Sequence, residues 1–321
     1  MDWSPAHVPD QSGRIALVTG ASGGIGLETS RMLAAHGAHV LLACRSVERG
    51  RAAAARIGGS AEVVRLDLAS LDSVREAAAW VRGRHERLDL LVNNAGVMFP
   101  SYRRTEDGFE AHFGVNHLGH FALTGLLLDL MTAVPDSRVV TVASLAHRAG
   151  FGAVDEDAAR SSTGRRSPTA YGRSKLANLL FARELQRRLA TAGAATASLA
   201  AHPGLSPTGL WHGDAPRLLR PVVAAGLRWL AQPANRAALP SLRAATDPHV
   251  AGGAPLGPSK LFESRGTPAP ARSSRASRDM AAQSRLWELS EGLTGVRYAF
   301  PSAPAAPDPS GAVCPVTGAR G

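Results

Sequence analysis

Residues 15–26 constrain the fold more than any other stretch. Ile15-Ala-Leu-Val-Thr19 is a short apolar strand that runs directly into Gly20-Ala-Ser-Gly-Gly-Ile-Gly26, and a helical pattern follows from Leu27 to His36. A strand, a glycine-rich turn and a helix form the context in which glycines carry information. They permit a tight turn and close approach of the backbone to a pyrophosphate. The helix N-terminus then offers free N–H groups and a positive dipole end. The plainer alternative is a strand–helix turn that happens to be rich in glycine.

The rest of the chain repeats this alternation. Ala38–Ala43 is a second strand ending at Cys44-Arg45, and a helix follows from about Val47 to Arg56. Glu62–Leu66 is a third strand closing on Asp67-Leu68, after which Ser70 and Asp72 cap a helix reaching about Arg82. Leu88–Val92 is a fourth strand and ends in Asn93-Asn94-Ala95-Gly96. Gly108–Leu130 reads as one long helix anchored by Phe109, Phe113, Leu118, Phe121 and Leu126. Arg138–Ser144 is a fifth strand, 145–168 a polar loop, and Ala195–Ala201 a sixth strand leading to His202-Pro203-Gly204 and Thr208. Strands alternating with helices predict an α/β fold with a doubly wound parallel sheet, three layers of the Rossmann type. Ligands of such sheets bind at the carboxyl ends of strands, where each of these motifs falls.

Tyr171-Gly-Arg-Ser-Lys175 opens an amphipathic helix running to about Ala190. Four residues apart on a helix, the phenol and the ammonium share one face. A charge pair at ~4 Å and an effective dielectric of ~20 is worth ~4 kcal/mol. That would favour phenolate by up to ~3 pKa units, bringing a tyrosine toward useful acid–base chemistry near neutral pH. The spacing also occurs on ordinary solvated helix faces. Composition favours chemistry: lysine occurs only at 175 and 260, against 34 arginines. A lysine kept here points to a compact, movable charge with a tunable proton.

Composition also excludes. The net charge of +10 is carried by arginines scattered without interleaved aromatics, which argues against nucleic-acid binding. Two cysteines, Cys44 and Cys314, cannot build a disulfide framework. The N-terminus lacks signal-peptide features. No run of ~18 apolar residues predicts stable membrane insertion. These features together suggest a cytoplasmic protein. His117 and His120 lack a carboxylate or cysteine at ligand spacing, so they read as helix packing and no metal is expected.

The spacing Gly20-x-x-x-Gly24-x-Gly26 resembles the short-chain dehydrogenase/reductase family, and the later motifs match in order over roughly 14–298. The phrases around Asn116 and Ser144, with Cys44-Arg45, are most similar to the branch of retinol dehydrogenases and protochlorophyllide reductases. The resemblance implies that Gly20, Ser22, Gly24, Ile25 and Gly26 cradle the cofactor. It implies that Asp67 and Leu68 contact adenine, and that Asn93, Asn94, Ala95 and Gly96 lie along the cofactor. Pro203 and Gly204 would flank the nicotinamide and Thr208 its carboxamide, although Ser206-Pro207 departs from the family's β-branched residue. Ser144 would bind the substrate oxygen, Asn116 a relay water, Tyr171 the transferred proton, and Lys175 the ribose.

In this fold the residue ending the second strand meets the adenosine ribose. Cys44 is uncharged there and Arg45 can fork onto a 2′-phosphate, with Arg49 and Arg51 adding to the positive field, so NADP(H) is the expected cofactor. The expected activity is interconversion of an alcohol and a carbonyl on a mostly apolar small molecule. The alternatives are reduction of a C=C bond and an idle NADP-binding regulator. Members of the family are commonly dimers or tetramers, so a homo-oligomer is compatible with the resemblance.

Residues 1–13 read as a polar lead-in, 14–298 as one oxidoreductase domain with 205–250 as its substrate lid region, and 299–321 as a disordered tail. Within the lid region, 209–235 reads as a short amphipathic helix that is a lid, a packing element or a membrane-surface helix. Pro240–Ala245 lies in a helix and Ala281–Ser290 forms another. Between them, 252–276 is rich in Gly, Pro, Ser and Arg. Ala254-Pro-Leu-Gly-Pro258 lacks the Tyr that relatives often carry, which leaves the last strand undefined.

Overall fold

A computed structural model of the chain describes residues 3–98, 102–150, 156–160, 167–205 and 232–301. Among them, β1 (Ile15–Thr19), β2 (His39–Cys44), β3 (Ala61–Arg65), β4 (Leu90–Asn93), β5 (Arg138–Val142), β6 (Ala197–Ala201), β7 (Pro255–Lys260) and β8 (Arg265–Pro270) form one sheet. Its order is β3-β2-β1-β4-β5-β6-β7-β8. All neighbours pair parallel except β7 with β8. The order reverses between β1 and β4, the crevice where such sheets bind ligands.

The central strands are buried on both faces, so they read as continuous apolar runs. Successive residues nevertheless enter different cores. Leu17, Leu41, Leu91 and Val139 face one layer, with α3 (Leu71–Arg82), α5 (Gly119–Leu127), α7 (Ser167–Thr191) and α10 (Met280–Thr294). Ala16, Val18, Leu42, Leu90, Val92 and Val140 face the other, with α1 (Gly24–Ala35), α2 (Val47–Ile57) and α9 (Leu239–Thr246). The segment before β1 is polar overall, yet it contributes Trp3 and Val8 to this second core.

Three stretches differ from the sequence reading. The helix expected over 108–130 is broken into α4 (Ala111–Phe113), a π-helical turn (Gly114–Leu118), α5 and a final 3₁₀ turn (Leu128–Leu130). Glu110 stops the helix from starting earlier. Its carboxylate caps the amides of His112 and Phe113, while its backbone bridges to Arg104. The expected loop over 145–168 contains a 3₁₀ turn (Leu145–Ala149), capped by the Ser144 hydroxyl, and α6 (Glu156–Arg160). The third is the Pro-rich stretch after 252, which is the β7–β8 hairpin. Its prolines are tolerated beside a sheet edge and at the irregularity between Pro258 and Lys260. The turn holds Leu261, Phe262 and Glu263 in succession at φ 49, 54 and 66, a left-handed conformation that costs energy for residues other than glycine.

α8 (Ala234–Ala237) precedes α9, in line with the helix expected over Pro240–Ala245. Most of the amphipathic stretch expected at 209–235, and the tail from 302, lie outside the described residues. Among the described residues no helix is long and apolar enough to cross a membrane.

Candidate functional site

β1 ends on Thr19, and the chain turns sharply through Gly20 and Gly24, at φ 68 and 56. α1 begins at Gly24, and Gly23 provides no side-chain cap for its amides. Ser22 and Ile25 are half-buried in this turn. A Cβ on Gly26 would lie 2.5 Å from the Gly20 carbonyl oxygen and 2.6 Å from Asn94 Nδ2. The helix therefore reaches the sheet only because position 26 has no side chain.

Thr19 organises the crevice. Its Oγ1 accepts from the amides of Asn94 and Ala95, each at 2.9 Å, and stands 2.8 Å from His120 Nε2. The other His120 nitrogen, Nδ1, lies 3.1 Å from the Asn116 carbonyl oxygen and must donate to it. Nε2 is then the acceptor and the Thr19 hydroxyl its donor. Burial holds this imidazole down at about 4, so it is neutral in ordinary buffers. Asn94 Nδ2 donates to the Thr19 carbonyl at 2.8 Å, and Asn93 Nδ2 to Thr124 Oγ1 at 2.9 Å.

Asn116 lies inside the π turn. Its Oδ1 accepts from the Val97 amide at 2.7 Å, and its Nδ2 donates to the Val97 carbonyl at 3.1 Å and to Ser174 Oγ at 2.9 Å. Ser174 in turn donates to the Tyr171 carbonyl at 2.8 Å. The end of β4, the π turn and α7 are thus joined through neutral hydrogen bonds.

Tyr171 and Lys175 are both buried on α7. Burial pushes the phenol above its usual range, and a hydrogen bond with Ser144 pulls the other way. The lowered phenol expected from Lys175 is therefore not what this arrangement produces. Lys175 Nζ stands 5.8 Å from the centre of the Tyr171 ring and donates to the Val142 carbonyl at 3.0 Å. Burial brings its own pKa down to about 8. A Cβ on Gly96 would come within 3.3 Å of Nζ and 3.5 Å of Asn116 Oδ1, so the backbone passes close to both groups. Ser144, at the end of β5, is held against α7 by another close approach. A Cβ on Gly172 would meet the Ala146 carbonyl at 2.7 Å, and one on Gly150 the Gly172 carbonyl at 2.7 Å.

The remaining predicted positions are more dispersed. Arg45 follows β2 and is exposed. Cys44 is buried, its thiol pushed up by burial and drawn down by the field of Arg49. Asp67 turns its carboxylate to the Ala69 amide at 3.0 Å, and buried Leu68 lies against Gly119. Pro203 accepts from Gln232 Nε2 at 2.8 Å. Gly204 adopts φ 71, and a Cβ there would lie 2.3 Å from the Ser264 carbonyl. Thr208 lies outside the described residues.

A charged cluster fastens this side. Glu263 accepts from Arg148 and from the Arg272 amide, both at 2.8 Å, and faces His202 Nε2 at 3.4 Å. Burial, opposed by the Glu263 charge, brings His202 down to about 4. His147 links the same cluster to the Ser144 carbonyl at 2.7 Å.

Sequence reasoning treated His120 as packing and passed over Thr19, Ser174, Gly150 and Gly172. Thr19 was the readable one, a polar residue closing an apolar strand beside the first glycine. The others are defined by contacts across 50 residues or more, or by backbone proximity.

The family model described as short chain dehydrogenase matches residues 14–215. Retinol dehydrogenase 13 of Homo sapiens is 46% identical over 213 residues, which is 64% of this chain and 62% of that one. The chain thus spans about three fifths of the length of the curated relatives it matches. An uncharacterised protein of Mycobacterium paratuberculosis superposes with a TM-score of 0.77 at 40% identity, covering 94% of this chain and 100% of that one. A structure described as an NAD(P)-dependent gluconate 5-dehydrogenase from Beutenbergia cavernae, holding NADP at low occupancy, gives 0.58 at 27% identity. It covers 74% of this chain and 90% of that one.

Proposed function

Because the chain belongs to the short-chain dehydrogenase family, we propose that it is an NADP(H)-dependent oxidoreductase that interconverts an alcohol and a carbonyl on a mostly apolar small molecule. One observation carries this reading. A buried phenol, hydrogen-bonded to Ser144, stands one helical turn from a buried lysine whose ammonium lies against the backbone at Gly96, just beyond β4.

The residues fit a dinucleotide. The uncapped start of α1 offers amides to a pyrophosphate. Gly96 keeps clear the space beside Lys175 and Asn116 that a side chain would fill. Asp67 and Leu68 border the adenine side, Asn93, Asn94 and Ala95 line the path, and Pro203 and Gly204 close the nicotinamide end. When bound, NADP(H) supplies or accepts the hydride. Ser144 holds the substrate oxygen. Tyr171 gives that oxygen its proton in reduction and takes it back in oxidation. Burial keeps the phenol protonated at neutral pH, which suits the reductive direction. Lys175 binds the ribose and lends positive charge as the phenolate forms. Asn116, in the π turn beside Lys175 and Gly96, holds the water that relays protons to Lys175.

The test is NADPH oxidation with a panel of apolar aldehydes and ketones, with product analysis. Tyr171→Phe should lower turnover by ~10²–10⁴ with cofactor affinity retained. Binding without turnover would favour a regulatory role, and saturation of a C=C bond the alternative reduction. For the cofactor, Arg45 beside an uncharged Cys44 supports NADP(H). The kcat/KM ratio should favour it at least ~10-fold, or ~1.4 kcal/mol. Cys44→Asp with Arg45→Ala should narrow or invert that ratio. A wild type preferring NAD(H), or an unmoved ratio, would overturn the assignment.

A further inference from the structure

The opposite edge of the sheet holds a second cluster that the proposed reaction does not use. His39 opens β2, and Glu62 on β3 pairs in register with Leu41 of β2. In a parallel pair, His39, Leu41 and Glu62 share one sheet face. That face is covered by α3, since Leu41 and Val64 pack with Val74, Ala77 and Val81. The turn leaving α3 is fixed by a bond from the His85 amide to the Val81 carbonyl at 2.9 Å. It brings the His85 ring to 5.7 Å from that of His39, centre to centre. One donor atom from each of His39, Glu62 and His85 falls within 4.8 Å of the others.

Three details point to a ligand. His39 Nδ1 is hydrogen-bonded to Ser60 Oγ, which leaves Nε2 facing Glu62 at 3.8 Å. That is how an outer partner orients a ligating imidazole. His85 Nε2 is enclosed and has no hydrogen-bond partner, and a buried polar atom left so costs free energy. Glu62, in a chain with 34 arginines, has His39 as its ion-pair partner among the described residues.

We propose that His39, Glu62 and His85 bind a divalent cation of the zinc class, with a fourth position open to water. Two imidazoles and one carboxylate suit such an ion and not magnesium or calcium, which take oxygen ligands. The site lies at the amino ends of the strands, roughly 17 Å of β2 away from Cys44. It stands independently of the proposed reaction.

The experiment titrates Zn²⁺ into the untagged full chain by calorimetry. One saturable site is expected, with no response to Mg²⁺. His85→Gln and Glu62→Gln should each weaken it at least ~10-fold, and Ser60→Ala by ~10-fold through loss of His39 orientation. Ser60 is exposed, so that variant tests the site even where a ligand variant folds poorly. NADPH affinity should be unchanged in all three. Absence of saturable binding, or binding that survives both His85→Gln and Ser60→Ala, would overturn the proposal.

Discussion

The two halves of the crevice are built from different materials. The half on β1 and β4 is neutral: Thr19, His120, Asn94 and Asn116 satisfy one another through hydrogen bonds, with His120 and Asn116 fully enclosed. The half on β5, β6 and β7 is ionic. There the Arg148–Glu263 ion pair, with the Arg272 backbone amide, holds a strained turn against His202 and Gly204. A neutral network tolerates no vacancy, because each lost partner strands a buried polar group. An ionic clamp near the surface is softer, since water and neighbouring charges can replace a missing contact. The first half should therefore behave as a fixed template, and the second as an adjustable wall.

The largest effect should come where the halves meet. Lys175 contacts the Val142 carbonyl of the second half and borders Gly96 of the first. Lys175→Arg keeps the charge but needs room that neither side offers. Turnover should fall ~10²-fold or more, and wild-type turnover across pH would show that a generic cation suffices.

Next comes His120→Phe. It removes the ring acceptor of the Thr19 hydroxyl and the ring donor to the Asn116 carbonyl, while Thr19 keeps the amides of Asn94 and Ala95, so a total cost of ~1–3 kcal/mol is expected. NADPH affinity should weaken while the second half stays intact. An unchanged cofactor Kd would break the template description. The same ring predicts acid behaviour. Its pKa is about 4 when folded, held down by burial, against about 6.5 in the unfolded chain. The unfolded state then binds the extra proton, so stability is lost as pH falls from about 6.5 toward 4. The loss is flat below that range and on the order of 3 kcal/mol. Urea midpoints measured against pH should show that slope, and it should be shallower in His120→Phe.

Glu263→Ala should cost less, ~1–2 kcal/mol, because Arg148 is partly exposed. It should raise substrate KM and leave cofactor affinity unchanged. A collapse of cofactor binding would mean that the two halves are one unit.

Legibility followed the same division. The β1–β6 alternation, the glycine turn and the pair at 171 and 175 are local patterns, so they could be read directly. The tail of the sheet could not. Pro255, Pro258, Pro268 and Pro270 argue against strands by propensity, and only pairing with β6 on one side overrides that. The π turn around Asn116 was not read, because its trace is a single five-residue step from Phe113 to Leu118 among otherwise helical anchors. The Tyr171 phenol shows another limit. A pairwise charge argument gives the sign for two groups in isolation, but enclosure by the whole fold reverses it.

The π turn at Gly114–Leu118 also changes the phase of its helix. An α-helix advances about 100° per residue, so one extra residue rotates everything downstream by about that angle. At its start, Gly114 faces Thr105 and the Phe113 ring tilts against His117. Downstream, His120 is aimed at the strand ends and Phe121 at Phe181 and Trp287. This segment therefore works as a gear with a fixed tooth count. Removing a single residue would turn the imidazole away from Thr19 and set the aromatic cluster out of step in one event.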